Sequence, residues 1–299
     1  MKNILTLISN PADPCLTESL LKKYREALSD SGAKHLDNAW LNKQEAADIS
    51  FDGDLETMRA ALLPLLQQDP LDYALQPLEH RRKKLLVADM DSTIIQVECI
   101  DELADFAGLK EKVSAITEAA MQGELDFEQA LRERVALLKG MNTSVLDIVF
   151  KERVKLTPGA VEMVQTMNRS GANTVLVSGG FTFFTDRVAR LTGFRVNRGN
   201  ILGIDGDKLS GEVESPIVDS NTKLDSLHEF QEIARLEMAE TIAVGDGAND
   251  IPMIDAAGLG VAYHPKPAAA KAADVVIRHG DLTALLYIQG FQKSEFASA

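Results

Sequence analysis

The chain has little sulfur, few basic residues and no long apolar run, and each shortage removes a class of protein. Cys15 and Cys99 are the only cysteines in 299 residues and lack metal-ligand spacing, so neither a disulfide framework nor a thiolate zinc site is indicated. The five histidines lie far apart and form no zinc-spaced pair. Lysine and arginine total 31 against 45 acids, a formal net charge of -14. That balance argues against a nucleic-acid partner or an anionic membrane surface, both of which require a basic face. No apolar stretch approaches the roughly 18 residues of a membrane span. Met1 to Ile8 is too short and too soon polar for a secretory leader, so a cytoplasmic protein is expected. There is no Gly-Lys-Ser/Thr phosphate loop, and Leu176 breaks any Gly-x-Ser-x-Gly elbow at Ser178. Gly245-x-Gly247 runs into Asp250 where a dinucleotide fingerprint requires glycine.

What is present reads as two units. Residues 1 to about 78 alternate as strand Asn3 to Ile8, helix Leu16 to Leu28, extended stretches His35 to Leu41 and Ala46 to Phe51, helix Leu55 to Leu66 and a last strand near Tyr73 to Pro77. This βαββαβ order predicts a small α+β ferredoxin-like domain. The basic run His80 to Lys84 reads as a solvated linker. From residue 79 to 299 the pattern is α/β, a Rossmann-like parallel sheet opened by strand Leu85 to Ala88. Helical spacing from Glu98 to Arg153 predicts a helical cap inserted at about 97–154. Thr157-Pro158 is expected to start the next helix, Thr174 to Val177 to form a strand, and Asp205-Gly206 to turn a hairpin between Ile201 to Ile204 and Leu209 to Val213. Strand Thr241 to Val244 delivers Gly245 to Asp250 at its carboxyl end, where open α/β sheets bind ligands.

Asp89-Met90-Asp91-Ser92-Thr93 carries the chemistry. Residues two apart on a strand share a face, so two carboxylates leave one buried element side by side. Read alone, Asp-x-Asp serves equally as a capping turn. Chemically, Asp89 can attack while Asp91 manages the proton and a divalent cation relieves their repulsion. At a pKa of about 3.9 only on the order of one Asp in a thousand is protonated at pH 7, so an acid at Asp91 requires burial or a neighbouring charge. Asp246 and Asp250 offer further carboxylates, and magnesium commonly takes one or two of these together with phosphate and water. Ser178 and Gly179 present a hydroxyl and free N–H groups at a strand end. Lys223 falls in the first turn of a helix capped by Ser220 or Asn221, where cation and helix amino end together suit phosphate.

Taken in order, Asp89-x-Asp91-x-Thr93, Ser178, Lys223 and Gly245-Asp246-x-x-x-Asp250 resemble the four motifs of the haloacid dehalogenase-type phosphatases over about residues 85 to 280. Through Asp89 to Ile95, Glu98, Met121 to Arg134 and Val177 to Phe181 the likeness is to the branch acting on phosphoserine. The resemblance implies an aspartyl-phosphate at Asp89 and acid–base work by Asp91. It implies Mg2+ on Asp89, the Asp91 carbonyl and Asp246, supported by Asp250, with the phosphate held by Ser178, Gly179, Lys223 and Asn249. The expected substrate is O-phospho-L-serine. Its ammonium and carboxylate call for one acid and one base, met by Glu98 and Arg134, while Met121 and Phe127 exclude water. Another small phosphomonoester, a phosphotransferase, or an amino-acid-sensing regulatory protein are the alternatives. The amino-terminal unit resembles ACT-type ligand-binding modules in element order, and a structural or homodimer-forming role is the other reading.

Overall fold

The computed structural model describes residues 2–121 and 124–298, with the side chains among them except those of Ala120 and Met121. The amino-terminal unit runs β1 (Lys2–Ser9), α1 (Glu18–Asp30), β2 (Lys34–Asn42), β3 (Ala46–Asp52), α2 (Leu55–Leu66) and β4 (Leu71–Pro77), the expected order. Its antiparallel sheet is ordered β2-β3-β1-β4. β1 is buried on both faces, which explains why it reads as an almost unbroken apolar run. Leu5 and Leu7 pack with Leu21, Tyr24, Leu28 and Leu62 of the two helices, whereas Ile8, on the opposite face, joins the core of the larger unit.

The basic run is not a solvated linker. Its residues alternate, and Arg81 and Lys83 are buried while Arg82 and Lys84 are exposed. The Arg81 guanidinium donates to both Asp48 oxygens at 2.6 and 2.7 Å and to the carbonyls of Ile288 and Tyr287 at 2.8 and 3.1 Å. Lys83 donates to Ala239 O at 2.7 Å. A second clasp is Asp72 of β4, which accepts the N–H groups of Arg278 and Gly280 at 2.7 and 2.6 Å. Charge that composition assigns to solvent therefore joins the two units.

The larger unit holds β5 (Leu85–Ala88) and then the cap helices α3 (Cys99–Phe106), α4 (Lys110–Met121), α5 (Phe127–Ala136) and α6 (Ser144–Glu152). After the cap come α7 (Ala160–Arg169), β6 (Asn173–Phe181), α8 (Thr182–Thr192), β7 (Val196–Asp205), β8 (Lys208–Glu214) and α9 (Ser220–Ile233). The chain ends with β9 (Thr241–Gly245), α10 (Ile251–Ala256), β10 (Gly260–Tyr263), α11 (Pro267–Ala272), β11 (Val275–Ile277) and α12 (Ala284–Ile288). The sheet order is β11-β10-β9-β5-β6-β7-β8, parallel apart from β8. β5 lies at its centre, with Leu86 and Ala88 facing the core of α7, α8 and α12 and Leu85 and Val87 facing α9 and α10. Helices on both faces bury all four residues, so the strand is continuously apolar.

Three helix starts differ from expectation, and the first is that of α1, which begins at Glu18 after its cap Thr17 and not at Leu16. α7 begins at Ala160 after Gly159 at φ 80°, not at Thr157-Pro158. A Cβ on Gly159 would lie 2.6 Å from Thr283 N, so tertiary packing sets that start. α9 is capped by Asp219, which accepts from Thr222 N at 2.8 Å, and not by Ser220 or Asn221. The β7–β8 hairpin holds the cap: Arg132 of α5 donates to Val213 O at 3.1 Å, and Gly140 N to Leu209 O at 2.8 Å.

Candidate active site

β5 delivers Asp89 at the centre of the sheet edge, where its N–H still donates to Val244 O of β9 at 3.0 Å. The Asp89 side chain accepts from Met90 N at 2.8 Å, and the loop then turns through Ser92 at φ 56°. Asp89 and Asp91 both line one cleft, which opens between the sheet edge and the cap. Ser178, Gly179, Asp246 and Asn249 enter from the neighbouring strand ends, and Glu98, Phe127 and Arg134 enter from the cap. Met121 closes α4, and its side chain lies outside the described residues.

Lys223 lies behind this wall, 1 % exposed, with Nζ 2.8 Å from Asp89 Oδ1 and 2.6 Å from Asp250 Oδ1. Asp250 is fully buried and turns back to accept from Asp246 N and Gly247 N at 3.1 and 3.0 Å. Only glycine fits at 245 without displacing it, since a Cβ there would lie 2.2 Å from Asp250 Cγ. Asp89, Asp246 and Asp250 each bring a carboxylate oxygen within 4.8 Å of the others.

The electrostatics follow from crowding in a dry place. Burial, then the Asp250 charge, pushes the Asp89 carboxyl well up, with Lys223 acting against them. Burial, then Glu98, pushes Asp91 up to about 7, so this carboxyl keeps a proton where an exposed Asp would not. Asp91 Oδ1 is buried without a hydrogen-bond partner. Burial alone would strip Lys223 of its proton, but Asp89 and Asp250 outweigh it and the ammonium stays charged. Burial raises Asp246 too, opposed by Lys266 at 3.3 Å.

The cap side is arranged by opposite charges. Glu98 precedes α3 and accepts from Ser92 Oγ at 2.7 Å, which ties the cap hinge to the Asp89 loop. Arg134 is half-buried and anchored by Nε to Ala130 O at 3.1 Å, in the field of Asp101 and Glu98. Phe127 packs over Gly179, whose Cβ would meet the ring at 3.0 Å.

Several residues of the site escape sequence reading. Asn200 is buried and donates to Gly179 O at 2.8 Å while accepting from Val218 N at 2.8 Å, which fixes the Ser178 loop. Ser92 supports Glu98, and Lys266 lines the cleft beside Asp246. Lys266 follows β10, so the rule that ligands gather at strand ends would have found it had that short strand been recognised.

A central carboxylate pair at a parallel-sheet edge, a lysine and acidic cluster beneath it and a helical cap above define a capped hydrolase of the α/β class. The chain belongs to the haloacid dehalogenase-like hydrolases, whose family model matches residues 86–255. It is 48% identical over 202 residues to the phosphoserine phosphatase of Haemophilus influenzae, covering 68% of this chain and 64% of that one, just under two thirds of the relative's length. Over 301 residues it is 36% identical to the phosphoserine phosphatase of Streptomyces coelicolor, covering 100% of this chain and 73% of that one. Among solved structures, a HAD-family hydrolase from Salmonella enterica superposes with a TM-score of 0.84 at 28% identity, covering 96% and 98% of the two chains. A probable phosphoserine phosphatase from Vibrio cholerae superposes at 0.76 with 35% identity, covering 98% and 88%.

Proposed function

We infer that this enzyme hydrolyses O-phospho-L-serine to L-serine and phosphate, the last step of serine biosynthesis, in the cytoplasm. The observation that carries the reading is the convergence of Asp89 and Asp91 with Glu98 and Arg134 in one cleft. The relatives named phosphoserine phosphatase support the same substrate. Phosphate lies against Ser178, Gly179 and Asn249, with the Lys223 charge behind Asp89. The substrate carboxylate meets Arg134 and its ammonium meets Glu98, a division that a phosphorylated sugar cannot exploit. Phe127 keeps bulk water from the reacting phosphorus.

An Asp89 oxygen attacks phosphorus as the phosphorus–serine oxygen bond breaks, and Asp91 gives its proton to the departing serine oxygen. Water then attacks the phosphorus of the aspartyl-phosphate, Asp91 takes the water proton, and Asp89 is regenerated as phosphate leaves. The raised Asp91 carboxyl is matched to this exchange near neutral pH.

The three clustered carboxylates carry more negative charge than Lys223 balances, which fits a hard divalent cation with oxygen ligands. Mg2+ would be held by Asp89, the Asp91 carbonyl and Asp246, with Asp250 orienting the set. Bound there, it neutralises phosphate charge and makes nucleophile and substrate compatible. The amino-terminal unit, with its βαββαβ order, is proposed as an ACT-like amino-acid-binding or homodimer-forming domain.

The test is phosphate release from a panel of phosphoamino acids and sugar phosphates in Mg2+, with and without chelator. Phosphoserine is expected to be preferred and chelator to abolish release. Arg134→Ala should raise KM for phosphoserine about ten- to a hundredfold, the value of a charged hydrogen-bond partner, and an unchanged KM would overturn the carboxylate assignment.

A further inference from the structure

Among the described residues, Lys266 is the one charged group lining the cleft that the proposed chemistry does not yet use. Its ammonium lies 3.3 Å from Asp246 Oδ2, and its side chain is 57% exposed at the mouth of the cleft. A half-exposed lysine beside an acid is ordinarily a surface ion pair of little consequence. The backbone here argues otherwise. Lys266 stands between Pro265 and Pro267, and its own N–H donates to Asp246 O at 2.9 Å. The preceding His264 is held at φ 40°, a conformation rare outside glycine. His264 is pinned there by its N–H to Ile277 O at 2.8 Å and by its Nε2 contact to Gly280 O at 3.0 Å. Gly280 in turn donates to Asp72 of the amino-terminal unit at 2.6 Å. A rigid loop therefore delivers both the backbone and the charge of residue 266 to Asp246.

We propose that Lys266 is a place-holding cation, which occupies Asp246 while the acidic cluster is free of metal and yields that carboxylate when a divalent ion enters. The inference rests on the metal reading given above and deepens it. Among the described residues two cations pair with the cluster, and they differ in freedom. Lys223 is 1 % exposed and locked between Asp89 and Asp250, so it cannot leave. The Lys266 head sits on a flexible four-carbon stem at the open end, and like-charge repulsion from an entering ion moves it into solvent with no change of backbone. Until then it screens Asp246 from the other carboxylates. The cost of displacing it weakens metal binding in the substrate-free enzyme.

The experiment titrates the full-length metal-free protein with Mn2+ in the absence of substrate and reads free Mn2+ by electron paramagnetic resonance. Lys266→Met and Lys266→Gln should bind Mn2+ about three- to fivefold more tightly than the wild type, the size expected for an exposed ion pair. Lys266→Arg should stay within the wild-type range. Equal or weaker Mn2+ binding by both neutral variants overturns this inference alone. A wild type that binds no Mn2+ overturns the metal reading, and the place-holder with it.

Discussion

Among the described residues two buried ionic clusters are built on opposite terms. Between the two units, Arg81 meets Asp48 through both guanidinium arms, Thr6 and two carbonyls complete the set, and every partner is within 3.1 Å. At the sheet edge, Asp89, Asp91, Asp246 and Asp250 face the buried Lys223 and the loosely held Lys266, and Asp91 Oδ1 has no partner at all. The first cluster is satisfied and structural. The second is short of positive charge, a deficit that the proposed divalent cation would relieve. Burial alone does not separate scaffold from chemistry. The remaining deficit of charge and hydrogen bonds does.

Neutralising one member of each cluster should have opposite consequences. The largest effect is expected for Asp89→Asn, which removes the proposed nucleophile and should lower kcat by at least about 10³-fold, while the Tm of the chelated protein stays level or rises because a crowded charge is gone. A fall in Tm would place Asp89 with the scaffold. Arg81→Ala should do the reverse, costing about 3–5 kcal/mol by chemical denaturation because Asp48 is left buried and unpaired, with kcat of the folded protein unchanged. The third effect is one of pH. Asp91 titrates at about 7 when folded and near 3.9 when unfolded, so the native state binds the extra proton. Its contribution to stability is fully present below about 4 and is lost as pH rises through 7. The Tm of chelated wild type should therefore fall across that window relative to Asp91→Asn, and parallel curves would contradict the raised carboxyl.

Most of the fold could be read from periodicity. The continuous apolar β5, the βαββαβ order and the inserted cap were all legible, because each follows from which faces are buried. Of the residues expected at the site from their places at strand ends, Asp89, Asp91, Ser178, Gly179, Asp246 and Asn249 line the cleft, whereas Lys223 of α9 lies buried behind Asp89. The start of α7, the cap of α9 and the burial of Arg81 and Lys83 were not legible, because each depends on a segment distant in sequence. Asn200 and Lys266 were missed for the same reason. Neither carries a local signature, and each acquires its role from a loop that the fold brings alongside.

Local order along the chain was enough to determine the element types, the place of the acidic pair at the end of a buried strand and the family, since these depend on spacing over a few residues. Only the tertiary structure decided which charges are paired, which are stranded and which can move. Those properties depend on distances of a few ångström between residues far apart in the chain, and on how much water the packed fold leaves between them.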